Sequence, residues 1–560
     1  MSKNEMDALG WDELDILLVS GDAYVDHPTF GMALLGRWLV AHGYRVGLVA
    51  QPDWRSLEDV SRLGRPRLLA GVGAGALDSM LAHYTAFKRR RAQDAYTPGG
   101  QAGARPDRAC IVYTNLVRQA FPNLPVVIGG IEASLRRATH YDFWSDKLRR
   151  SILLDSKADA LVYGMAERSL LEVTRRLEAA PDVPAGRALL GVYGLAVMGR
   201  PEDLPAGVPV VPLPAHEVIA ADPRELMTAT LALERQVHQG RAWAVQQVGT
   251  RHLLVAPPAR PLSTVEMDLL YGLPFTRRVH PSHQLPVPAV EVVAQSITSH
   301  RGCGGGCSFC SLALHQGRAI SSRSLSSILA EVAGLATSEQ WRGSISDIGG
   351  PSANMWGGLC AGDQTTCHRT SCLTPKPCRH FQVDQAAIAD MLERAADIPG
   401  VKHLRVSSGV RYDLALQSPA YTATLLRRFV GGQLKIAPEH ISRSVLDLMR
   451  KPGPEIFESF LAAFQKISQE QGKKQYVVPY LLSAFPGCED ADMALLSAWL
   501  RQKGWRPRQV QCFVPTPGTV ATAMYHAGID PQGRPIHVAR GDRQRRRQHE
   551  MLVSSTPMTT

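Results

Sequence analysis

The sequence lacks the features of a membrane-embedded, secreted or disulfide-stabilised protein. No apolar run among its 560 residues approaches the roughly 18 residues that a bilayer span requires. The N-terminal stretch MSKNEMDALGWDELD is polar and acidic, unlike a secretory leader. Ten cysteines are too few for a disulfide scaffold in a chain of this length. We therefore expect a cytoplasmic, globular protein without membrane contact.

Internal repeats are also lacking, and the charge identifies no single partner. The net charge of +11 permits an anionic partner, so nucleic acid stays open. Part of the excess lies in a C-terminal run formed by Arg540, Arg543, Arg545, Arg546 and Arg547. Such a run is typical of a solvated, mobile segment. We expect a basic tail over residues 526–560.

The first part of the chain alternates short apolar runs with helical patterns. Runs at 16–19 and 46–50 flank an amphipathic stretch, which indicates a βαβ unit. Further buried strands are predicted at LLAGVG (68–73), IVYT (111–114), VVIGG (126–130) and ALVYG (160–164). We predict an open α/β domain over 1–195. Six prolines between Pro201 and Pro223 then predict a Pro-rich connection with an irregular insert over 196–285.

A second alternating series begins near residue 290. Candidate strands are SITS (296–299), SISDIGG (344–350), HLRVSSG (403–409), QLKIAPEH (433–440), YVVPYLLSA (476–484) and VQCFVPT (510–516). Helical patterns separate them, so six β-α units predict a partial (β/α)6 TIM-type barrel over 286–525. Loops after the strand C-termini carry the chemistry in such barrels. A cysteine triplet follows the first strand.

That triplet is Cys303, Cys307 and Cys310, in the spacing CxxxCxxC within a glycine-rich loop. Three thiolates on one loop can bind three irons of a [4Fe–4S] cluster and leave the fourth iron open to a cofactor. Phe309 would form an apolar wall. A structural zinc site, a ferredoxin-like carrier and unrelated thiols are the alternatives, but zinc prefers four ligands and a carrier needs a fourth cysteine.

A second cysteine group, Cys360, Cys367, Cys372 and Cys378, lies in the Cys-rich insert 356–380. Four thiols so close together predict a second metal site. Their irregular spacing does not choose between zinc and an auxiliary iron–sulfur cluster. Free thiols on a mobile loop are the alternative.

Several long strings give the chain a specific resemblance. They are GDAYVDHPTFGMA (21–33), GGIEASLRR (129–137), YDFWSD (141–146), ISDIGGPSANM (345–355), SSGVRYD (407–413) and LKIAPEH (434–440). Together with the cysteine triplet they resemble the YgiQ-type, UPF0313-like family of radical S-adenosylmethionine (SAM) proteins. The resemblance runs from about residue 6 to 549. It implies a flavodoxin-like, cobalamin-binding-like N-terminal domain before a radical SAM barrel.

The resemblance also implies which residues bind SAM. Gly349 and Gly350 occupy the place of a turn that binds the amino group, with Pro351 where glutamate is common. Ser407, Ser408 and Glu439 would face the ribose and the carboxylate. A structural ion pair is the alternative role for Glu439.

Cobalamin is not expected from the sequence. Cobalamin-ligating relatives carry D-x-H-x-x-G, and this chain keeps Asp26 and Gly31 but has Pro28 in the histidine position. His27 falls one residue early and could serve a substrate pocket or a structural role.

The resulting functional hypothesis is an enzyme that cleaves SAM reductively to a 5′-deoxyadenosyl radical. The resemblance implies a reductant such as flavodoxin or ferredoxin, and leaves RNA, protein and small molecules open as substrates. The competing hypothesis is a non-catalytic iron–sulfur or zinc protein that carries electrons or binds nucleic acid.

Overall fold

The computed structural model describes residues 1–507 and 510–553. The chain divides into two compact units. Unit 1 contains Met1–Pro261, Leu269–Ala294 and Thr516–Gly518. Unit 2 contains Leu262–Asp268 and the described parts of Gln295–Pro515 and Thr519–Thr560.

Unit 1 is built on a nine-stranded sheet with helices around it. Its strands are β1 (Ile16–Ser20), β2 (Val46–Ala50), β3 (Leu69–Gly73), β4 (Val126–Gly129), β5 (His140–Asp142), β6 (Lys147–Arg149), β7 (Ala160–Val162), β8 (Leu195–Gly199), β9 (Val210–Leu213), β10 (Trp243–Val248) and β11 (Arg251–Val255). Its helices are α1 (Lys3–Ala8), α2 (Gly31–Ala41), α3 (Glu58–Ser61), α4 (Ser79–His83), α5 (Ala109–Ala120), α6 (Gly130–Leu135), α7 (Ile152–Ser156), α8 (Glu167–Ala179), α9 (Ala185–Ala188), α10 (His216–Ala221) and α11 (Arg224–Gln239), followed by α12 (Thr264–Tyr271) at the unit boundary and α13 (Ala289–Val293).

The strand order of the large sheet is β2-β1-β3-β4-β7-β8-β11-β10-β9. Strands β2, β1, β3, β4 and β7 run parallel, and β8 then joins β7 antiparallel. Alternate residues of β1 enter different cores: Leu17 and Val19 pack in one cluster, Ile16 and Leu18 in another. Both faces of the sheet are therefore covered, which explains why its strands are continuous apolar runs. The strand order reverses at β1, because β2 lies on one side of β1 whereas β3 and β4 follow on the other, as in doubly wound sheets.

Two expectations for this region are wrong. IVYT lies in helix α5, because Cys110, Tyr113 and Val117 recur at helical spacing and are all buried. The segment 196–285 is not irregular, since it supplies most of β8 and all of β9, β10 and β11 to the sheet. Its prolines lie mainly between the elements, although Pro212 pairs with Val245 at the β9 edge, where a missing N–H is tolerated.

Unit 2 consists of short strands and longer helices. Its strands are β12 (Ser296–Thr298), β13 (His300–Arg301), β14 (Ser321–Ser322), β15 (Ser344–Ile345), β16 (Asp347–Gly349), β17 (Leu359–Cys360), β18 (Phe381–Gln382), β19 (His403–Leu404), β20 (Gln433–Glu439), β21 (Tyr476–Ser483) and β22 (Val510–Cys512). Its helices are α14 (Ser311–Gln316), α15 (Leu325–Ala336), α16 (Gln385–Ala396), α17 (Tyr412–Ala415), α18 (Pro419–Thr424), α19 (Arg443–Met449), α20 (Pro454–Glu470), α21 (Asp490–Gln502), α22 (Val520–Ala527) and α23 (Asp542–Val553).

All six predicted strand segments of this unit contain a strand. Parallel pairing joins β12 to β16, β15 to β19, and β20 to β21 to β22. These strands form separate sheets of two or three. The structure therefore has the expected parallel α/β character, and the partial barrel stays a prediction.

The basic C-terminal segment includes a packed helix, so the expected mobile tail is wrong for Asp542–Val553. Arg545, Gln548 and Leu552 of α23 are buried. Arg545 Nη2 donates to the Phe513 carbonyl at 2.5 Å. The buried positions recur at helical spacing, a pattern that the arginine run masks. Within residues 1–507 and 510–553, no helix has the length and apolarity to cross a membrane.

Candidate functional site

The three cysteines of the CxxxCxxC motif lie on one loop of unit 2, between β13 and α14. Cys303, Cys307 and Cys310 are partly exposed at the residue level. The Cys303 Sγ lies 3.6 Å from the Ser352 hydroxyl, which follows β16. The cysteine loop therefore lies next to the segment that follows β16, the strand paired in parallel with β12. Folds of this class place their sites at such strand ends.

Two glycines allow this loop to fold. Gly302 and Gly306 have φ of +84° and +59°, in the left-handed region. A Cβ on Gly302 would overlap the Ala319 carbonyl, and one on Gly306 would overlap the Thr370 carbonyl. Both positions require glycine for conformation and for close backbone approach.

The thiols of this loop are electrostatically coupled. Burial raises the pKa of Cys303 and raises that of Cys310 to about 12, and the nearby Cys307 adds to both shifts. Bare thiolates are therefore disfavoured, whereas bound iron would supply the positive charge that stabilises them. In the described part of the chain, no three Cys, His, Asp or Glu side chains converge on a single ion. A cubane cluster binds each cysteine at a different iron, so its ligands need no such convergence.

Phe309 belongs to a row of aromatic rings. Its ring meets Phe485 nearly edge-on with centroids 6.1 Å apart, and Phe485 meets Phe513 at 5.4 Å. Such T-shaped contacts are favourable for aromatic pairs. Phe309 therefore joins the cysteine loop to the apolar interior near β21 and β22.

Gly349 and Gly350 end strand β16. The Gly349 carbonyl accepts a hydrogen bond from the Ser299 N–H at 2.8 Å. A Cβ on Gly350 would lie 2.6 Å from the His300 carbonyl oxygen and 2.7 Å from its Nε2. Only glycine fits at position 350, so close packing against His300 is sufficient to explain this glycine.

Ser407 and Ser408 are engaged by a residue that the sequence analysis missed. Their N–H groups donate to Asp347 Oδ1 at 2.8 and 3.0 Å, and the Ser408 hydroxyl donates to Asp347 Oδ2. The Ser407 hydroxyl donates to the Ser346 carbonyl at 2.8 Å. Asp347 therefore fixes the serine turn. Asp347 lies in the ISDIGG string, two residues before Gly349. Its position in that string is the sequence feature from which its role could have been predicted.

Glu439 lies at the end of β20 with φ of +68°. Its Oε1 is 3.6 Å from Lys451 Nζ; the Lys451 side chain is buried and that of Glu439 is partly buried. Burial raises the pKa of Glu439, and Lys451 opposes the shift. The ion pair is thus present, and the left-handed backbone of a non-glycine residue is a form of strain that concentrates at functional sites.

The cysteine loop also meets a buried arginine that the sequence analysis did not single out. Arg411 Nη1 lies 4.0 Å from Cys307 Sγ. The other side of its guanidinium binds Asp413, with Nε and Nη2 donating at 2.9 and 2.6 Å. Both residues stand in the string SSGVRYD, before and within α17.

The second cysteine group gathers beside the first. Burial raises the pKa of Cys372 to about 11, and Cys360, Cys378 and Cys367 contribute to the shift. These four side chains therefore lie within electrostatic reach of one another. The β17–β18 ladder pairs Cys360 with Phe381 and so closes the insert into a hairpin.

This insert packs directly on the glycine loop. The Cys372 N–H donates to the Gly304 carbonyl at 2.9 Å, and the Ser371 hydroxyl donates to the Gly305 carbonyl at 2.6 Å. The two cysteine groups are therefore in contact through backbone hydrogen bonds. Sequence separation alone gives no indication of this contact.

Comparison with known proteins identifies the family. A family model described as "Radical SAM N-terminal" matches residues 1–296, and a "Domain of unknown function (DUF3362)" model matches 508–557. A UPF0313 protein of Geobacter sulfurreducens is 52% identical over 98% of this chain and 91% of its own length. A UPF0313 protein of Thermotoga neapolitana is 45% identical over 99% and 98%. The chain belongs to the UPF0313 family of radical SAM proteins.

Solved structures show the same fold for this UPF0313 chain. The radical SAM methyltransferase TsrM of Kitasatospora setae, solved with tryptophan and a SAM analogue, has a TM-score of 0.50 at 15% identity, covering 90% of this chain and 74% of its own. The likeness extends the α/β architecture to nearly the whole chain. The match of DUF3362 to 508–557 agrees with a folded C-terminal helix.

The expectation about cobalamin is corrected by these structures. A second TsrM structure carries cobalamin and a [4Fe–4S] cluster, and the cobalamin-dependent enzyme OxsB was solved with aqua-cobalamin. The expectation that cobalamin is unlikely is therefore withdrawn. The error came from treating one ligand motif as necessary for the cofactor.

Unit 1 of the UPF0313 chain has a pocket at the carboxyl ends of β1, β3 and β4. Its cavity volume is about 90 Å³, and the cavity is partly open to solvent. Its lining is mostly apolar and includes Ser20, Asp22, Gly71, Gly73, Gly129 and Gly130. The reversal point of a doubly wound sheet is where such folds bind ligands.

Among residues 1–507 and 510–553, no histidine lines this pocket. His27 is buried, and its Nδ1 contacts the Thr29 hydroxyl at 2.8 Å while its Nε2 contacts Arg277 Nη1 at 2.9 Å. Burial, with Arg277 adding, lowers the pKa of His27 to about 3. Both ring nitrogens are engaged within the protein, which favours the structural role for His27.

Proposed function

We propose that this UPF0313 chain is a radical SAM enzyme whose [4Fe–4S] cluster is held by Cys303, Cys307 and Cys310. One observation carries the proposal: three cysteines on a tight glycine loop after a strand, in a member of a radical SAM family. When bound, the reduced cluster would donate one electron to SAM, breaking the sulfonium S–C5′ bond to give methionine and a 5′-deoxyadenosyl radical.

The residues around the loop are suited to hold this cluster. Three thiols at one loop leave a fourth iron without a protein ligand, where SAM could bind through its amino and carboxylate groups. Gly302 and Gly306 let the backbone follow the cluster, and Phe309 would shield it. The buried setting that raises the pKa of Cys310 would strengthen each bond between thiolate and iron.

The residues proposed to bind SAM surround the segment after β16. The carbonyls near Gly349 and Gly350 would accept from the amino group. Glu439, whose pKa is raised by burial, would bind the ribose hydroxyls. Asp347, with Ser407 and Ser408, would fix the turn that borders the cofactor.

A second metal is proposed at Cys360, Cys367, Cys372 and Cys378. Their mutual electrostatic influence supports a common site, and four thiols can close the coordination of zinc or of an auxiliary cluster. Reduction of the first cluster would require an external one-electron donor of the flavodoxin or ferredoxin class.

We also propose that the pocket of unit 1 receives part of a corrinoid. The supporting observation is a glycine-lined and mostly apolar pocket at the reversal point of the sheet. The Asp22 carboxylate lines it and is fixed by the Ala76 N–H at 2.5 Å. The glycines Gly71, Gly73, Gly129 and Gly130 would let the backbone approach the bound group closely.

The radical SAM proposal is tested with anaerobically reconstituted full-length protein. About four irons per three-cysteine site and dithionite-dependent release of 5′-deoxyadenosine are expected. An iron-loaded protein with neither SAM cleavage nor any spectral response to SAM would instead be an electron carrier.

The corrinoid proposal is tested by incubation with hydroxocobalamin and desalting. Wild-type protein should retain the cobalamin absorbance. Gly31→Trp, at the pocket lining where an added Cβ meets no atom within 4 Å, should reduce retention. Gly36→Ala in the same helix is the matched control, because its Cβ makes only an ordinary contact with Leu18 at 3.7 Å. If wild-type protein loses cobalamin on desalting to the same extent as Gly31→Trp, the proposal is refuted.

A further inference from the structure

The guanidinium of Arg411 is a fixed positive charge beside the cysteine loop. The residue is only 7% exposed, and Nη1 points to Cys307 Sγ at 4.0 Å. A Cβ built on Gly305 would lie 3.0 Å from the same nitrogen, so the loop backbone closely approaches this charge. Arg411 thus places a cation beside the loop of the proposed cluster ligands.

The position of Arg411 is determined from both ends. Asn354 accepts from the Arg411 N–H at 2.8 Å and donates to its carbonyl at 3.0 Å. Asn354 is itself bonded to Gln385 in a buried amide pair. At the other end, Asp413 binds two guanidinium nitrogens and leaves Nη1 directed at the loop. The side chain is therefore preorganised rather than free to follow solvent.

A fixed charge at this position acts on electron affinity. Reduction adds one negative charge to a thiolate-ligated cluster, and a nearby cation in a poorly solvated site favours the reduced state. The Asp413 carboxylate lies on the far side of the guanidinium and opposes this effect. Lys451 lies within electrostatic reach of Asp413, so it lessens the influence of the acid.

We infer that Arg411 and Asp413 form a paired charge that sets the reduction potential of the cluster bound by Cys303, Cys307 and Cys310. This inference rests on the proposed function. Arg411 is a positioning residue, since it acts through the cluster rather than on SAM. The external one-electron donor would then need to match a potential that the arginine raises and the aspartate lowers.

The test is an EPR-monitored redox titration of anaerobically reconstituted, full-length protein. R411Q should lower the midpoint potential, so that the reduced-to-oxidised ratio at the wild-type midpoint falls about tenfold, or about 59 mV for one electron. R411K should recover part of that ratio. D413N should shift the ratio in the opposite direction, because it leaves the cation unopposed.

R323Q is the matched control. Arg323 is also a buried arginine of unit 2, and its side chain pairs with Glu331. Its substitution should leave the cluster potential unchanged even if the protein is less stable. The comparison thus separates charge near the loop from loss of a buried ion pair.

If wild-type protein holds no [4Fe–4S] cluster, the proposed function fails before this inference is reached. If wild-type protein holds the cluster and R411Q and D413N, loaded to equal iron, have wild-type midpoints, the inference is overturned. If R411Q does not fold, R411K against D413N decides: a higher midpoint in D413N than in R411K supports the inference, and equal midpoints overturn it.

Discussion

The two cysteine groups of unit 2 differ in number, setting and backbone. The first has three thiols on a loop that glycine alone can form, with a buried arginine beside it. The second has four thiols on a hairpin insert that packs on the first. The number of ligands would give the two groups different roles. Three thiolates would leave one iron of a cluster open to SAM, whereas four thiolates would complete a structural metal site.

The largest effect is expected at the first group. Replacing Cys303, Cys307 or Cys310 by Ala removes one of the three proposed bonds between thiolate and iron, so the SAM-binding cluster should be lost. Anaerobic visible absorption and EPR measure this. Cys512→Ala, a buried cysteine of β22, is the control. Full retention of the cluster signal in the triple variant would contradict the assignment.

The second group should behave differently. Replacing Cys360, Cys367, Cys372 and Cys378 together should lower total metal while the EPR signal of the first cluster persists. Elemental analysis then distinguishes zinc from iron. Unchanged metal content would show that these thiols are free, and the contrast between the groups would have to be withdrawn.

A substitution at Gly350 tests whether the turn after β16 contacts SAM. Gly350→Val should crowd His300 and cost about 1–3 kcal/mol in unfolding free energy. It should also weaken the SAM-dependent change of the reduced EPR signal without removing iron. Gly334→Ala in α15 is the control, because its added Cβ meets no atom within 4 Å. A variant with a wild-type SAM response would exclude this turn from the cofactor site.

The last effect concerns the contact between the two loops. Ser371→Ala removes a hydroxyl that donates to the Gly305 carbonyl at 2.6 Å and accepts from the Leu373 and Thr374 N–H groups at 3.0 Å. The free energy of unfolding should fall by about 1–3 kcal/mol, because three hydrogen bonds of a buried hydroxyl are lost. Thermal unfolding of apo protein measures it, with Ser338→Ala at the end of α15 as a local control. No change would mean that the insert does not support the loop.

Sequence patterns predicted the local elements better than their assembly. The βαβ start, the six strand segments of unit 2 and the family followed from periodicity and from long matching strings. The segment 196–285 was misjudged, because proline content was weighed above the alternating apolar residues of Trp243–Val248 and Arg251–Val255. Strand pairing over such distances depends on tertiary packing, which local patterns do not encode.

In the candidate site, too, local motifs were predicted from the sequence, whereas contacts between loops were not. The cysteine spacing specified both groups, whereas Asp347 and Arg411 were missed because their importance depends on which loops meet in space. Cobalamin was discounted from one absent histidine, although a fold can bind a cofactor through a pocket rather than through one ligand. The C-terminal arginine run likewise concealed the buried face of α23.

The radical SAM assignment is tested by reducing iron-loaded protein with dithionite in the presence of SAM. We expect 5′-deoxyadenosine in the product mixture and a SAM-dependent change in the reduced-cluster EPR signal, both absent from the Cys307→Ala variant. A fully loaded, fully reduced wild-type protein that yields no 5′-deoxyadenosine and shows no spectral response to SAM would contradict it.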